Sequence, residues 1–297
     1  MRIDLHTHTN RSDGTTSPAE LVRHARSVGI DVLAITDHDT TEGWAEAADV
    51  AEQEGITLVR GLEISCEMAG YGVHVLAYLP DPTFEPLTDE LERVLDGRNS
   101  RLPATLDKLR DLGIDIDVKD VRRCAGAAAA MGRPHVADAL IDKGVVRDRT
   151  EAFDRFLGSR GPAYVHRYAC DVFEMIEHIS RAGGVSVVAH PWAARHNHDA
   201  MDVAGIARLK DVGLAGLEVD HEDHDAATRK RLRSIARDLD LVATGSSDFH
   251  GDGKVGHELA CNTTEPAEYE RLLARADAAA VTSGRSTPAL IGPGAVG

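Results

Sequence analysis

Arg2-Ile3-Asp4-Leu5-His6-Thr7-His8 opens the chain with a short apolar run that ends in two histidines. The same arrangement returns along the sequence. Val32–Thr36 runs into Asp37-His38, Thr57–Leu62 into Glu63, Val73 into His74 and Val185–Ala189 into His190-Pro191, while Leu241–Thr244 precedes Asp248-Phe249-His250. Runs of this length and composition read as buried strands. Imidazoles and carboxylates delivered from the ends of several strands can converge on one point, as they do in barrel enzymes. Asp13 follows the first run on a loop, with Gly14 beside it to let the backbone turn sharply. The candidate metal ligands are therefore His6, His8, Asp13, His38, Glu63, His74, His190, Asp248 and His250. Any one of these histidines alone would be read as an exposed or hydrogen-bonded imidazole. Together they reverse that reading, because carboxylates and imidazoles buried at strand ends without cations carry large costs of desolvation and repulsion. The pattern points to metal-dependent hydrolysis, and nitrogen and oxygen ligation suits Mn, Fe or Zn.

Around these runs the sequence alternates. Ser17-Pro18-Ala19-Glu20 has the form of a helix start, with serine as the cap, proline in the first turn and glutamate closing a capping box. That helix carries Leu21, Val22 and Ala25 on one side and stops near Gly29. A second helix is expected over Thr41–Glu54, and a hairpin through Met68-Ala69-Gly70 into Tyr71–Tyr78. From about Leu87 to Phe156 no strand is expected. Leu91, Val94, Leu95, Leu102, Leu106 and Leu109 repeat at helical spacing, and shorter helices are expected over Val118–Cys124, Pro134–Lys143 and Arg149–Leu157. Ala127–Ala130 reads as a tight helix contact or a loop. The alternation resumes at about Asp171, with helices to Arg181, near Ala204–Lys210, over Ala226–Leu239 and over Pro266–Ala278, and a further strand at Gly216–Val219. The tail Ile291–Gly297 is expected to be loose. Strands alternating with helices mean a mainly parallel sheet. The expected fold is α/β, a barrel formed by residues 1–86 and 166–297 with a helical insertion at 87–165.

Composition narrows the partners. With 297 residues of which 42% are hydrophobic, the chain can bury a sizeable core, but 4% aromatics leave that core to Ala, Val, Leu and Ile. A formal charge of −16 argues against binding an extended nucleic-acid duplex, which needs a basic face. It leaves a phosphorylated small molecule open, since bound metals reverse the local sign. Cys66, Cys124, Cys170 and Cys261 are widely spaced and read as free thiols of a reducing compartment, Cys66 as a core thiol despite its closeness to Glu63. With no signal peptide and no apolar run of membrane-spanning length, a soluble cytoplasmic protein with no membrane partner is expected.

His6-Thr7-His8, Ser12-Asp13-Gly14, Thr36-Asp37-His38-Asp39, Gly61-Leu62-Glu63, His190-Pro191 and Ser247-Asp248-Phe249-His250 resemble, in order, the motif series of the PHP (polymerase and histidinol phosphatase) superfamily. Gly132-Arg133-Pro134-His135-Val136-Ala137 and Gly161-Pro162-Ala163-Tyr164-Val165 are similar to its stand-alone phosphoesterases, which include nucleoside 3′,5′-bisphosphate phosphatases. The resemblance implies a distorted (β/α)7 barrel with a helical insertion and a centre of three divalent metal ions, Mn, Fe or Zn. Carried over by position, it implies one ion on His6, His8, Glu63 and Asp248, a second on Glu63, His74 and His190, and a third on Asp13, His38 and His250. Three divalent cations against three carboxylates leave the centre positive, which suits a phosphate dianion. The nucleophile implied is a metal-bridging hydroxide held by Glu63 and Asp248. The activity implied is hydrolysis of a phosphate monoester of a small nucleotide: a nucleoside 3′,5′-bisphosphate, a nucleoside monophosphate, or a short oligonucleotide degraded from its 5′ end. Two alternatives stand beside it. One is a histidinol-phosphate phosphatase. The other is a non-catalytic accessory module of the kind found on DNA polymerases, which the filled series of ligand positions disfavours.

Substrate recognition is expected from the insertion. Arg98 and Arg101 share a helix face with Asn99 between them, and Arg133 and His135 begin a helix whose Pro134 marks an N-terminus where a phosphate can sit. Guanidinium forks take phosphate oxygens in pairs. The plainer reading is solvated helix charge; the resemblance favours substrate binding by all five, with His135 near a metal as the alternative. Arg167 and Arg195 are weaker candidates. Glu218, Asp220 and His221 follow a strand and are expected to face the rim of the site, with Glu218 orienting a ligand imidazole. His221-Glu222-Asp223-His224 lacks the apolar helical frame of a zinc-protease helix and is read as a solvated loop. His196 and His198 read as loop residues, and His24 and His178 as surface or packing residues. Trp192 either stacks on a base or packs at the rim.

Overall fold

The computed structural model describes residues 1–193 and 201–293; Arg195, His196, His198 and the last four residues of the expected loose tail lie outside the described residues. The apolar runs form the strands β1 (Ile3–Asp4), β2 (Val32–Ile35), β3 (Thr57–Met68), β4 (Tyr71–Tyr78), β5 (Cys170–Asp171), β6 (Val185–Val188), β7 (Gly216–Asp220) and β8 (Val242–Gly245). They make one sheet in the order β1-β2-β3-β4-β6-β7-β8, with the short β5 beside β3. Beyond the ends of β1 and β8 the two edges meet. The His8 N–H donates to the Phe249 carbonyl at 2.8 Å, and the Asp248 N–H donates to the His6 carbonyl at 2.9 Å. The result is an α/β fold with a nearly closed seven-strand barrel. Its seam runs through two of the ligand-bearing segments.

The barrel is distorted for a local reason. All pairings are parallel except those of β4, which runs against both β3 and β6. Ala69 and Gly70 both take positive φ, 51° and 84°, so a tight hairpin replaces the helical crossover that a parallel neighbour would need. β3 is also longer than the run Thr57–Leu62 implies. It continues to Met68, so Glu63 sits inside a strand and not at its end. His74 pairs with Ser65, two residues from Glu63 and therefore on the same face of the sheet.

The helices follow the predicted pattern with shifted ends. They are α1 (Pro18–Ser27), α2 (Trp44–Glu54), α3 (Glu85–Asp111), α4 (Val118–Ala125), α5 (Arg133–Asp142), α6 (Arg149–Ala152), α7 (Val172–Arg181), α8 (Val203–Asp211), α9 (Ala226–Asp238) and α10 (Pro266–Ser283). The capping box of Ser17 and Glu20 opens α1. α2 begins three residues later than expected, because Thr41 is taken up in a turn that receives the Trp44 N–H. The expected helix Arg149–Leu157 is regular only to Ala152, and Phe153–Leu157 continues as a wider π turn.

Three apolar clusters share the core. Ile3, Leu5, Val32, Ala34, Val59, Leu76, Tyr78, Val187 and Val242 fill the barrel, with Leu272 and Ala276 of α10 added. The alternate strand residues Leu33, Ile35, Leu58, Leu62 and Ile64 pack against the surrounding helices, as the period of two requires. Leu87 and Leu91 at the start of α3 join this outer layer. Leu102, Leu106 and Leu109 of the same helix instead form a separate cluster with Val121, Val136, Leu140, Ala152 and Leu157. α3 thus reaches out of the barrel into a second, helical core.

Candidate metal centre

The loops after the strands are bent inward by their own side chains. The Thr7 hydroxyl donates to the Ala34 carbonyl at 2.6 Å, fixing the backbone between His6 and His8. The Asp37 carboxylate accepts from the Thr9 N–H at 2.8 Å, the Thr9 hydroxyl at 2.7 Å and the Ser12 hydroxyl at 2.6 Å, which curls the chain so that Asp13 returns toward His8. Asp39, His190 and Asp248 all hold positive φ, at 57°, 30° and 53°. Strain of this kind in non-glycine residues collects at functional sites and is sustained by the surroundings.

All nine candidate ligands come together. His6 Nε2 lies 3.0 Å from His8 Nε2, and both lie 3.2–3.4 Å from Glu63 Oε2 and 3.4 Å from Asp248 Oδ1. The other oxygen of Glu63 faces His74 Nδ1 at 2.9 Å and His190 Nε2 at 3.1 Å. Asp13 lies 3.3 Å from His250 Nε2 and 3.7 Å from His38 Nε2. Donors about 2.1 Å from one ion sit about 3.0 Å apart at right angles and about 3.4 Å apart at tetrahedral angles. The spacing therefore fits donors gathered around divalent ions, and the two oxygens of Glu63 face separate groups. His38 Nδ1 is buried 3.0 Å from Glu63 Oε2 and makes no hydrogen bond, while Nε2 of the same ring faces Asp13, so His38 stands between the Glu63 and Asp13 groups.

The electrostatics show what such a centre needs. Burial drives His38 down to about 3, against the pull of Glu63 and Asp13, and burial likewise lowers His250. Burial also opposes charge on His8, but hydrogen bonds to Asp248 and Glu63 carry its ring up to about 9. His6 is held well above its usual range against burial by Asp248, Glu218 and Glu63. Burial disfavours ionised Asp13, Glu63 and Asp248, but the facing imidazoles, and for Asp248 first the Lys254 ammonium, hold all three well below the usual carboxylate range. Protons on some imidazoles balance the carboxylates here, and divalent cations can take the place of those protons.

The PHP domain family matches residues 4–103. A 5′-3′ exoribonuclease of Haemophilus influenzae is 35% identical over 84% of this chain and 90% of its own length. A 3′,5′-nucleoside bisphosphate phosphatase of Chromobacterium violaceum is 30% identical over 86% of this chain and 90% of its own. The chain belongs to the PHP family. Among solved structures, a Bifidobacterium adolescentis protein assigned to the metal-dependent phosphoesterases superposes with a TM-score of 0.87 at 34% identity, over 92% of this chain and 96% of that one. A Chromobacterium violaceum amidohydrolase with bound sulfate superposes with a TM-score of 0.84 at 30% identity, over 93% and 97% of the two chains. This PHP protein is a metal-dependent phosphoesterase.

The residues expected to bind substrate separate into two kinds. Arg98 is buried beside the centre, its Nε donating to Asp39 at 2.7 Å and its Nη2 to the Ser65 hydroxyl at 2.8 Å. Arg98, Asp13 and His38 line one small cavity together with Ser12. Burial and then the guanidiniums of Arg133, Arg167 and Arg98 press the Arg101 pKa down to about 8. A guanidinium does not relieve that pressure by giving up its proton; it relieves it by taking an anion. Arg133 donates to the Leu157 carbonyl at 3.0 Å and lies over the Phe153 and Tyr164 rings. Asn99 and His135 are engaged with backbone, although His135 also lines that cavity. Asn99 is exposed, and its Oδ1 accepts the Met131 N–H at 3.1 Å. His135 uses both ring nitrogens on backbone, accepting from the Gly132 N–H at 3.0 Å and facing the Ser12 carbonyl at 3.0 Å. The structure thus gives both side chains backbone partners, because each sits where a loop would otherwise leave a polar group unmet.

Several neighbours of the centre lie deeper than the sequence suggests. His221 and His224 do not lie on a solvated loop: they are 0% and 2% exposed, and His221 Nε2 is 3.2 Å from Asp248 Oδ2. Burial and the Asp223 N–H donated to Nδ1 at 3.1 Å leave that ring a donor toward Asp248. Lys254 donates to the same carboxylate oxygen. The only signal for either was closeness in sequence to β7 or to Asp248. His257 is buried against the Ser247 carbonyl at 2.8 Å. His24 packs edge-on to Phe249 with centroids 5.6 Å apart, and Trp192 is buried with its N–H on the Met201 carbonyl at 2.9 Å, which is the rim-packing reading. Cys66 is a buried thiol opposite Cys170.

Proposed function

We propose that this PHP phosphoesterase hydrolyses a phosphate monoester of a small nucleotide, a nucleoside 3′,5′-bisphosphate or monophosphate, and extends to the 5′ end of short oligonucleotides. The observation that carries the reading is the cavity in which Arg98 faces Asp13 and His38, with Arg101, Arg133 and Arg167 clustered near Arg98. A phosphoryl group at the centre and a second phosphate on the arginines would use both halves of that arrangement, and histidinol phosphate would use one. Relatives named for a nucleoside bisphosphate and for 5′-3′ exoribonuclease activity support the same class.

In this reading three divalent ions, Mn, Fe or Zn, would be held by His6, His8, Glu63 and Asp248, by Glu63, His74 and His190, and by Asp13, His38 and His250. When bound, the ions would supply Lewis acidity and lower the pKa of a water that attacks phosphorus. The chain supplies the rest. Glu218 holds His6 in place, and His221 and Lys254 hold the outer oxygen of Asp248. Arg98, kept rigid by Asp39 and Ser65, fixes a phosphoryl oxygen, while Arg101 and Arg133 receive the second phosphate. The helices of residues 87–165 form the lid that carries these arginines.

Phosphate release by the purified chain with added Mn²⁺ tests the reading. A nucleoside 3′,5′-bisphosphate, a nucleoside 5′-monophosphate, a 5′-phosphorylated dinucleotide and histidinol phosphate are compared by kcat/KM. The nucleotides are expected to lead; faster turnover of histidinol phosphate rejects the assignment.

A further inference from the structure

Arg149 lies outside every motif of the sequence, on the four-residue helix α6 of the insertion, yet it touches both walls of the metal centre. Its Nε and Nη2 grip both oxygens of Asp138 on α5 at 2.7 Å each. Its remaining terminal nitrogen, Nη1, donates to the Asp13 carbonyl at 3.0 Å. The same guanidinium crowds Gly253, where an added Cβ would lie 2.8 Å from Cζ. Gly253 belongs to the loop that carries His250. The two loops are also zipped to one another, Thr15 N–H donating to the His250 carbonyl at 3.1 Å and Asp252 N–H to the Thr15 hydroxyl at 3.0 Å. Asp13 and His250 contribute to the same donor group, 3.3 Å apart. One fork, held rigid by a carboxylate of the insertion, therefore sets the backbone on both sides of that group.

We propose that Arg149 is a positioning residue for the ion held by Asp13, His38 and His250, and that it makes occupancy of that part of the centre depend on the docked insertion. The proposal rests on the three-ion reading above. Arg149 hydrogen-bonds to Asp138 and the Asp13 carbonyl, and of the ligands in the other two groups Asp248 shares the loop of His250, while Glu63 and His74 sit in the strands β3 and β4. Lysine at this position keeps the charge but has no planar fork to reach Asp138 and the carbonyl together. Alanine at Gly253 crowds the same guanidinium from the His250 loop while keeping the Arg149 and Asp138 side chains themselves.

The test is metal content and Mn²⁺ affinity of the full chain, read by elemental analysis and calorimetry, with thermal melting as the check on folding. Arg149→Lys and Gly253→Ala are each expected to lose one ion of three, or to weaken it about 10-fold or more, with the other two unchanged. Asp13→Ala is the reference for loss of that ion. If Asp13→Ala loses one ion while both variants keep all three at wild-type affinity, the role of Arg149 is overturned alone. If Asp13→Ala retains the full wild-type complement, the three-ion reading fails and the proposal fails with it.

Discussion

Glu218 Oε1 lies 3.1 Å from His6 Nδ1, on the side of the ring opposite the Nε2 that faces Glu63 and Asp248. The other oxygen of Glu218 accepts the His190 N–H at 2.8 Å, and the Ser246 hydroxyl donates to the first. One carboxylate thus fixes the tautomer of one candidate ligand and the backbone of another. A register shift between Glu218 and Asp220 in the pairing of β7 with β8 turns the strand at this point. Glu218→Gln keeps the shape and removes the charge. It is expected to lower metal affinity or kcat by about 10–100-fold, measured by Mn²⁺ titration and steady-state kinetics.

Chelation is expected to abolish activity and Mn²⁺ to restore it. Protons should leave as ions bind, because His8 in the metal-free fold is carried up to about 9 by Asp248 and Glu63 in spite of burial. Calorimetry at pH 7.5 in buffers of different ionisation enthalpy reads that release, which should shrink toward pH 9.5. The sign for stability follows from the raised value. The contribution of His8 to the metal-free fold is fully present below about pH 6.5 and is lost as pH rises through about 9. The melting temperature of the metal-free chain should fall over that window.

Arg101→Ala should raise KM for a nucleoside bisphosphate about 10-fold or more, the worth of a charged hydrogen bond to phosphate, and change KM for a simple monoester far less. Equal changes for both substrates would remove Arg101 from the second phosphate site.

A Cβ at Gly14 would lie 2.5 Å from the His8 carbonyl oxygen and 2.7 Å from its carbon. Neither atom can move without shifting a candidate ligand. Gly14→Ala is expected to cost about 1–3 kcal/mol of stability in chemical denaturation and to cut activity further than that loss explains.

Much of this protein was legible in local chemistry. Apolar runs of four to six residues that end in histidine or carboxylate mark the strands, and the Ser17 box marks a helix start, because these signals need only neighbouring residues. Less legible was how far β3 runs beyond Leu62, since its continuation is stabilised by the β4 hairpin and not by its own apolar pattern. His221-Glu222-Asp223-His224 reads as polar loop because burial there comes from packing against β7 and Asp248, which lies 27 residues away.

The sequence by itself determined which side chains can bind metal, that they stand beside apolar strands, and that an arginine-bearing helical segment interrupts the alternation. Only the tertiary structure decided which donors face one another. Closure of the β1 and β8 edges brings His6 and His8 to within 3.4 Å of Asp248, and no local signal encodes a contact between residues about 240 positions apart. The same holds for Glu218, Lys254 and Arg149. Their types are ordinary, and their roles follow from the backbone and carboxylates that the folded chain sets within hydrogen-bonding reach of them.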